Sequence, residues 1–253
     1  KAGQKRVQEE FSWSTRAATF ESKLPLVSVI IPVFNHVKEF KKCLRTISRQ
    51  TYKHFQVIVV DDGSSEDIRS VVDAYSYQYI RQDNQGAPSA RNRGFESSQG
   101  EFVLFLDADA LLRRDALEVM LRALIEHPEA DVAYSSFRFG WKLFSGRPFD
   151  EMALKQTNYI HTSSLLRRAA FPGFDPALKK FQDWDMWLTM SERGAKMVWI
   201  PRVLFRLYAG GTMSKWLPSF MHRIPWTKMG WMPKALISYQ EAERVIQKKH
   251  HLL

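Results

Sequence analysis

"LVSVIIPVF" (26–34) is a short, β-branched, almost unbroken apolar run. Such a run suits a strand buried on both faces of a parallel sheet, because a half-exposed strand would alternate with polar residues. Immediately after it, Phe40, Cys43, Leu44 and Ile47 recur at the spacing of one helix face. "FQVIVV" (55–60) repeats the strand, and "DDGSSED" (61–67) is the turn behind it. Ser64 with Asp67 reads as a capping box, and Ile68, Val71, Val72 and Tyr75 supply the next helical face. A strand near Tyr77–Arg81, a helix around Ser89–Ser97 and a strand at Phe102–Leu106 continue the alternation. Alternation of this kind predicts an α/β fold with a mostly parallel, Rossmann-like sheet flanked by helices.

Beyond residue 110 the pattern is sparser. Leu117, Met120, Leu121 and Leu124 mark a helix that ends at His127-Pro128, and "DVAYSSFRF" (131–139) reads as a strand. From Gly140 to about Pro176 only loops and short pieces are expected; a helix then runs over 183–194, and "MVWIP" (197–201) forms a strand. The expected organisation is an N-terminal extension (1–25), a regularly alternating half (26–110), a contiguous second half of the same domain (111–212) and a C-terminal segment (213–253).

The 253 residues are 45% apolar and carry a formal net charge of +10, enough core for one large α/β domain. Cys43 is the single cysteine, which removes disulfide frameworks and Cys-based metal sites and suggests a reducing, cytoplasmic setting. No run approaches the roughly 18–20 apolar residues of a membrane span. The first residue is Lys1, as expected of a processed chain or a piece of a longer one.

Three apolar strands end in polar residues: Phe34-Asn35, Asp61-Asp62 and Asp107-Ala108-Asp109. In open parallel sheets ligands bind at such strand ends, so all three should open onto one rim. Read as extended chain, Asp107 and Asp109 point the same way, and two carboxylates on one face call for a cation. Oxygen ligands of this type suit Mg²⁺ or Mn²⁺ carrying substrate phosphates. Asp-x-Asp alone is a weak signal.

In series the motifs are specific. "VSVIIPVFN", "VIVVDDGSS", "NQGAPSARNRG", "GEFVLFLDADA" and "GFDPAL…FQDWDMWL" resemble, in order and spacing, the family 2 inverting nucleotide-sugar glycosyltransferases with the GT-A fold, over about Leu26–Ser214. The resemblance implies a sugar transferase whose donor is a nucleotide diphosphate, UDP above all, and whose acceptor is a hydroxyl of a glycan or a lipid-linked molecule. Pro32 and Phe34 would line the base pocket, and Asp62 would accept the N–H of uracil, with thymine or guanine also compatible. Asp61 either caps its turn or touches ligand. Arg91 would stand near the phosphates or ribose, or else form a surface ion pair. Asp109 would hold Mn²⁺ or Mg²⁺, and Asp107 would contact ribose or sugar. Inversion needs a base across the sugar from the metal; "QDWD" makes that base Asp183, the competing reading being a simple helix cap. Asp185, two residues along the helix, points elsewhere.

Two departures stand out. Gln182 replaces the family's usual glutamate. Tyr208 stands where the family usually offers a histidine that completes the metal shell; His161 and His222 are the weaker substitutes. Tyr208 therefore motivates a rival reading, a catalytically silent nucleotide-sugar-binding or scaffold protein. A nicotinamide dehydrogenase is disfavoured, because no G-x-G-x-x-G follows the first strand.

The charge excess lies at the end of the chain. Nine Lys or Arg and two Glu fall between Pro201 and Leu253, and no acid separates Arg193 from Gln240. Residues 213–234 interleave Trp216, Phe220, Trp226 and Trp231 with Lys215, Arg223, Lys228 and Lys234. Trp with cations suits an anionic membrane surface, which would make the protein peripheral on the inner face of the membrane. The same residues could instead pack on the acceptor side. Single-stranded nucleic acid is the least favoured partner.

Overall fold

The structure is a computed structural model that describes residues 24–208 and 233–252. Its elements are β1 (Val27–Val33), α1 (Val37–Ser48), β2 (Phe55–Asp61), α2 (Arg69–Asp73), β3 (Gln78–Arg81), α3 (Ala87–Glu96), β4 (Phe102–Phe105), β5 (Ala110–Leu112) and α4 (Ala116–Glu126). Then come β6 (Val132–Phe139), β7 (Lys142–Phe144), α5 (Glu151–Gln156), β8 (Leu165–Arg167), a 3₁₀ turn (Arg168–Ala170), α6 (Gln182–Glu192), β9 (Met197–Leu207) and α7 (Lys234–Lys249). They form one sheet in the order β3-β2-β1-β4-β8-β6-β9-β5, with β7 on β6.

The longer ladders, β1–β2 and β6–β9, are parallel, as are β1–β4 and β2–β3. Short antiparallel pairings through β8, β5 and β7 join and edge the two parallel parts. β1 shows why its sequence reads as continuous: Val27, Val29, Ile31 and Val33 enter one core with Phe40, Cys43, Leu44 and Ile47 of α1. Ile30 enters the opposite core, with Ile58, Val60, and Trp184 and Trp187 of α6. Each such large apolar side chain contributes about 1.5–3 kcal/mol when fully buried. Helix α3 lies close on the sheet because Gly94 has no side chain: a Cβ there would sit 2.4 Å from Ile30 Cγ2.

Two local expectations are corrected. Ser64 and Asp67 do not form a capping box, because the Ser64 hydroxyl accepts the Asn35 amide at 2.8 Å and Asp67 alone caps Ser70. A tertiary partner outcompetes the local one. Nor are Asp107–Asp109 extended: the Ala110 amide donates to the Asp107 carbonyl at 2.9 Å, closing a turn between β4 and β5. The stretch 140–176 holds β7, α5, β8 and the 3₁₀ turn, the short pieces expected of it. Residues 1–23 and 209–232, which include most of the N-terminal extension, His222, Trp216, Phe220, Trp226 and Trp231, lie outside the described residues.

Candidate active site

The ends of β1, β2 and β4 open onto one cleft of about 320 Å³. Its walls include Pro32, Phe34, Asp62, Arg91, Asp107, Asp109 and Asp183, so the separated motifs of the sequence converge there. Asn35, His36 and Phe181 also line it, and all three hold positive φ of 57–59°. Left-handed backbone at non-glycine residues is unfavourable, by roughly 1–3 kcal/mol each, and persists where surroundings enforce it. Here the enforcement is visible: Asn35 Oδ1 accepts the Ser65 amide at 2.9 Å, locking the β1–α1 loop to the β2–α2 loop.

The two aspartates after β2 have separate tasks. Asp61 is fully buried and accepts from the Ser64 amide, the Tyr79 hydroxyl and Arg81, so it holds the turn. Asp62 faces the cleft and accepts from Gln82 Nε2 (2.8 Å), the Gln85 amide (2.9 Å) and the Gly86 amide (2.8 Å). It thereby pins the loop leading into α3. Oδ2 accepts only the Gly86 bond among the described residues and keeps a lone pair free.

Arg91 on α3 is buried, with 2% exposure, and is no surface ion pair. Its guanidinium donates to Asp107 Oδ1 at 2.8 Å and to Gln182 Oε1 at 2.9 Å, tying three distant segments together. Its Nε is buried without a partner among the described residues. Burial alone would raise the Asp107 carboxyl, but Arg91 and His161 hold it below the usual carboxylate range. Asp109 has the opposite balance: burial, then the Asp107 charge, push it up to about 6, and among the described residues it forms no ion pair.

Those contrasting neighbours test the fit of a divalent ion. Asp107 is committed to Arg91, which leaves Asp109 as the carboxylate free to bind. No cluster of three or more His, Cys, Asp or Glu ligands exists among the described residues. One carboxylate with substrate phosphates is a normal Mg²⁺ arrangement, since that ion keeps several waters, so the residues fit an ion held jointly with substrate. Tyr208 follows β9, its ring 4.5 Å from Lys42 Nζ, and is not among the cleft residues.

Asp183 stands in the first turn of α6. Burial pushes its carboxyl up, and His161, the Trp184 amide, Arg91 and Asn158 pull against that rise. Trp184 and Trp187 of the same helix donate to the carbonyls of Leu154 (2.7 Å) and Ile160 (3.0 Å), which fixes the helix and therefore Asp183. Asp185 points away from the cleft into a second cluster. Its Oδ1 meets His250 Nε2 at 2.9 Å, Lys249 Nζ lies at 2.9 Å, and His250 Nδ1 meets Glu192 at 2.8 Å. This cluster fastens α7 to α6. His250→Ala removes one of the two side chains that bond the buried Asp185 carboxylate, and is expected to lower unfolding free energy by about 2 kcal/mol in urea titration. A change within about 0.5 kcal/mol, the range of ordinary surface substitutions, would show the cluster to be incidental.

Sequence reasoning undervalued His161. It is largely buried in the cleft wall, 3.8 Å from Asp107 Oδ2, and its ring lies beside Phe137 (4.9 Å) and Phe205 (5.0 Å). No periodicity flags it, because it sits in an irregular stretch and meets those rings through the β6–β9 pairing. In the sequence Gln182 reads only as a replacement; its bond to Arg91 spans 91 residues and has no local signal.

Residues 28–183 match the model of a protein family described as glycosyl transferase family 2. Glycosyltransferase GlyA of Streptococcus pneumoniae is 34% identical over 116 residues, 44% of this chain and 16% of GlyA. The chain spans less than a third of the length of this and the next three curated relatives it matches. S. aureus TarS 1-349 in complex with UDP-GlcNAc aligns at TM-score 0.63 and 21% identity, covering 76% of this chain and 61% of that one. The mannosyltransferase PcManGT from Pyrobaculum calidifontis, in complex with GDP-Man and Mn²⁺, aligns at TM-score 0.60 and 21% identity, covering 76% and 59%. Likeness at that identity speaks for the fold.

Proposed function

Because this chain belongs to glycosyl transferase family 2 and has the GT-A fold, we propose that it transfers a sugar from a UDP-sugar to a hydroxyl of a glycan or lipid-linked acceptor, with inversion and with Mn²⁺ or Mg²⁺. The observation that carries this reading is one cleft holding two differently conditioned carboxylates: Asp109, free of ion pairs among the described residues, and Asp183, whose proton affinity is raised.

Asp109 would hold the ion, which when bound supplies Lewis-acid neutralisation of the departing diphosphate. Asp107, kept ionised and oriented by Arg91, would accept hydroxyls of ribose or sugar. The free lone pair of Asp62 suits a base N–H flanked by carbonyls, as in uracil, with Pro32 and the half-exposed Phe34 beside the ring. TarS with UDP-GlcNAc and PcManGT with GDP-Man support a nucleotide-sugar donor, and Mn²⁺ in the latter supports the ion. Asp183 would take the proton of the acceptor hydroxyl as its oxygen attacks the anomeric carbon. The bond from that carbon to the diphosphate breaks on the opposite face, so configuration inverts. A base with a raised pKa is matched to that task near neutrality.

Tyr208 favours a second reading, a nucleotide-sugar binder without turnover. The test is a panel of nucleotide sugars assayed for Mn²⁺-dependent release of nucleoside diphosphate, alongside calorimetric binding of each. Release from at least one donor supports transfer; binding without release from any supports the second reading.

No helix among the described residues is long and apolar enough to cross a membrane. The basic, tryptophan-bearing residues 213–234 are proposed to rest on anionic lipid. Flotation with vesicles containing anionic lipid is expected at low salt and should be lost at high salt; salt-independent flotation, or none, rejects this.

A further inference from the structure

His161 is surrounded in a way that leaves one edge of the ring with work to do. The Ser163 amide donates to its Nδ1 at 3.0 Å, so in the neutral ring the proton resides on Nε2. Nε2 lies 3.8 Å from Asp107 Oδ2, longer than a hydrogen bond, and the ring belongs to the cleft wall. Phe137 and Phe205, themselves stacked at 5.2 Å, fix the ring plane. Phe137 reaches that position because the β6–β9 register slips between Ser135 and Phe137, and irregularities of this kind re-aim side chains. The imidazole is therefore a rigid single donor of fixed direction.

Its position relative to the charged groups limits what it can meet. It shares the cleft wall with Asp107, the acid assigned to ribose or sugar, and Asp183, the assigned base, and the charges of both act on it. Burial outweighs those charges and keeps the ring's pKa below its ordinary value, so it is a neutral donor. With a diphosphate assigned to Asp109 and its ion, a neutral N–H beside Asp107 suits an uncharged oxygen.

Resting on the transferase reading above, we propose that His161 is a specificity-determining residue whose Nε2–H donates to an oxygen of the transferred sugar, either a hydroxyl or an acylamino carbonyl.

The experiment compares wild type, His161→Phe and His161→Gln. Phenylalanine keeps the aromatic packing and removes the donor, whereas glutamine places an N–H near the position of Nε2. Affinities for UDP alone and for UDP-Glc, UDP-Gal and UDP-GlcNAc, each with Mn²⁺, are measured by calorimetry, together with release of UDP. In His161→Phe the affinity for the preferred UDP-sugar should fall about 10- to 100-fold, the size of a lost buried hydrogen bond, with UDP affinity unchanged. His161→Gln should recover part of the loss. If the loss appears equally for UDP, or His161→Phe binds the sugar donor as wild type does, the inference is overturned. If His161→Phe does not fold, His161→Gln decides: donor preference shifted at unchanged UDP affinity supports it, and unchanged preference rejects it. A wild type that binds UDP-sugars without turnover defeats the transferase reading and leaves this binding comparison valid. A wild type that binds none of them defeats both.

Discussion

Asp183→Asn is expected to reduce sugar transfer by about 10²- to 10⁴-fold while donor binding changes little, since a general base acts in the transition state and the amide is isosteric. The same replacement should not destabilise the fold. The folded-state pKa of Asp183 is raised, so ionising it in place opposes folding at pH above that value. Neutral Asn removes the penalty, and thermal melting at pH 7–8 should show an unchanged or higher midpoint. The raised pKa also sets the pH profile of the wild type. Activity requires the ionised base, so kcat/KM should fall as pH drops through a value above that of an ordinary aspartate, and this acid limb should vanish from the residual activity of Asp183→Asn. Parallel loss of binding, transfer and stability would instead mark Asp183 as a structural helix cap.

Asp109→Ala should have the second large effect, on the ion. In wild type, Mn²⁺ is expected to tighten UDP binding markedly, because on the proposed reading the carboxylate and diphosphate would share the ion. In the variant, UDP affinity with and without Mn²⁺ should converge, and transfer should fall below detection. Fold stability should hold or rise, because burial and Asp107 raise the carboxyl of Asp109 to about 6, so at neutral pH its charge is less favourable in the folded chain than in the unfolded one. Persistence of the Mn²⁺ effect in Asp109→Ala would move the ion to other residues and dismantle the assignment. Both variants carry the same logic: a carboxylate kept where it opposes folding is kept for chemistry.

Much of this was legible in order along the chain. The apolar runs at 26–34, 55–60 and 102–106 are strands because both of their faces are covered, and a strand covered on both faces has no reason to alternate. Helix faces at Phe40–Ile47 and Leu117–Leu124 are buried as their spacing requires. The polar residues ending each strand converge because parallel strands open on the same edge. Local geometry was less legible. The Ser64–Asn35 bond joins residues 29 apart in the chain, which no window of ten contains.

The sequence by itself determined the α/β architecture, the rim on which the acids gather and the family, because strand period, helix period and motif order are properties of the chain read locally. Only the tertiary structure decided how the acids divide the labour. Asp61 is spent on the turn, Asp107 is ion-paired with Arg91, Asp185 is locked to His250, and Asp109 and Asp183 are left with raised proton affinity. It alone also brought His161 into the cleft wall beside Asp107. The physical reason is that a carboxylate's charge state and partner depend on groups within a few ångströms in space. In this fold those groups come from segments as far as 91 residues apart.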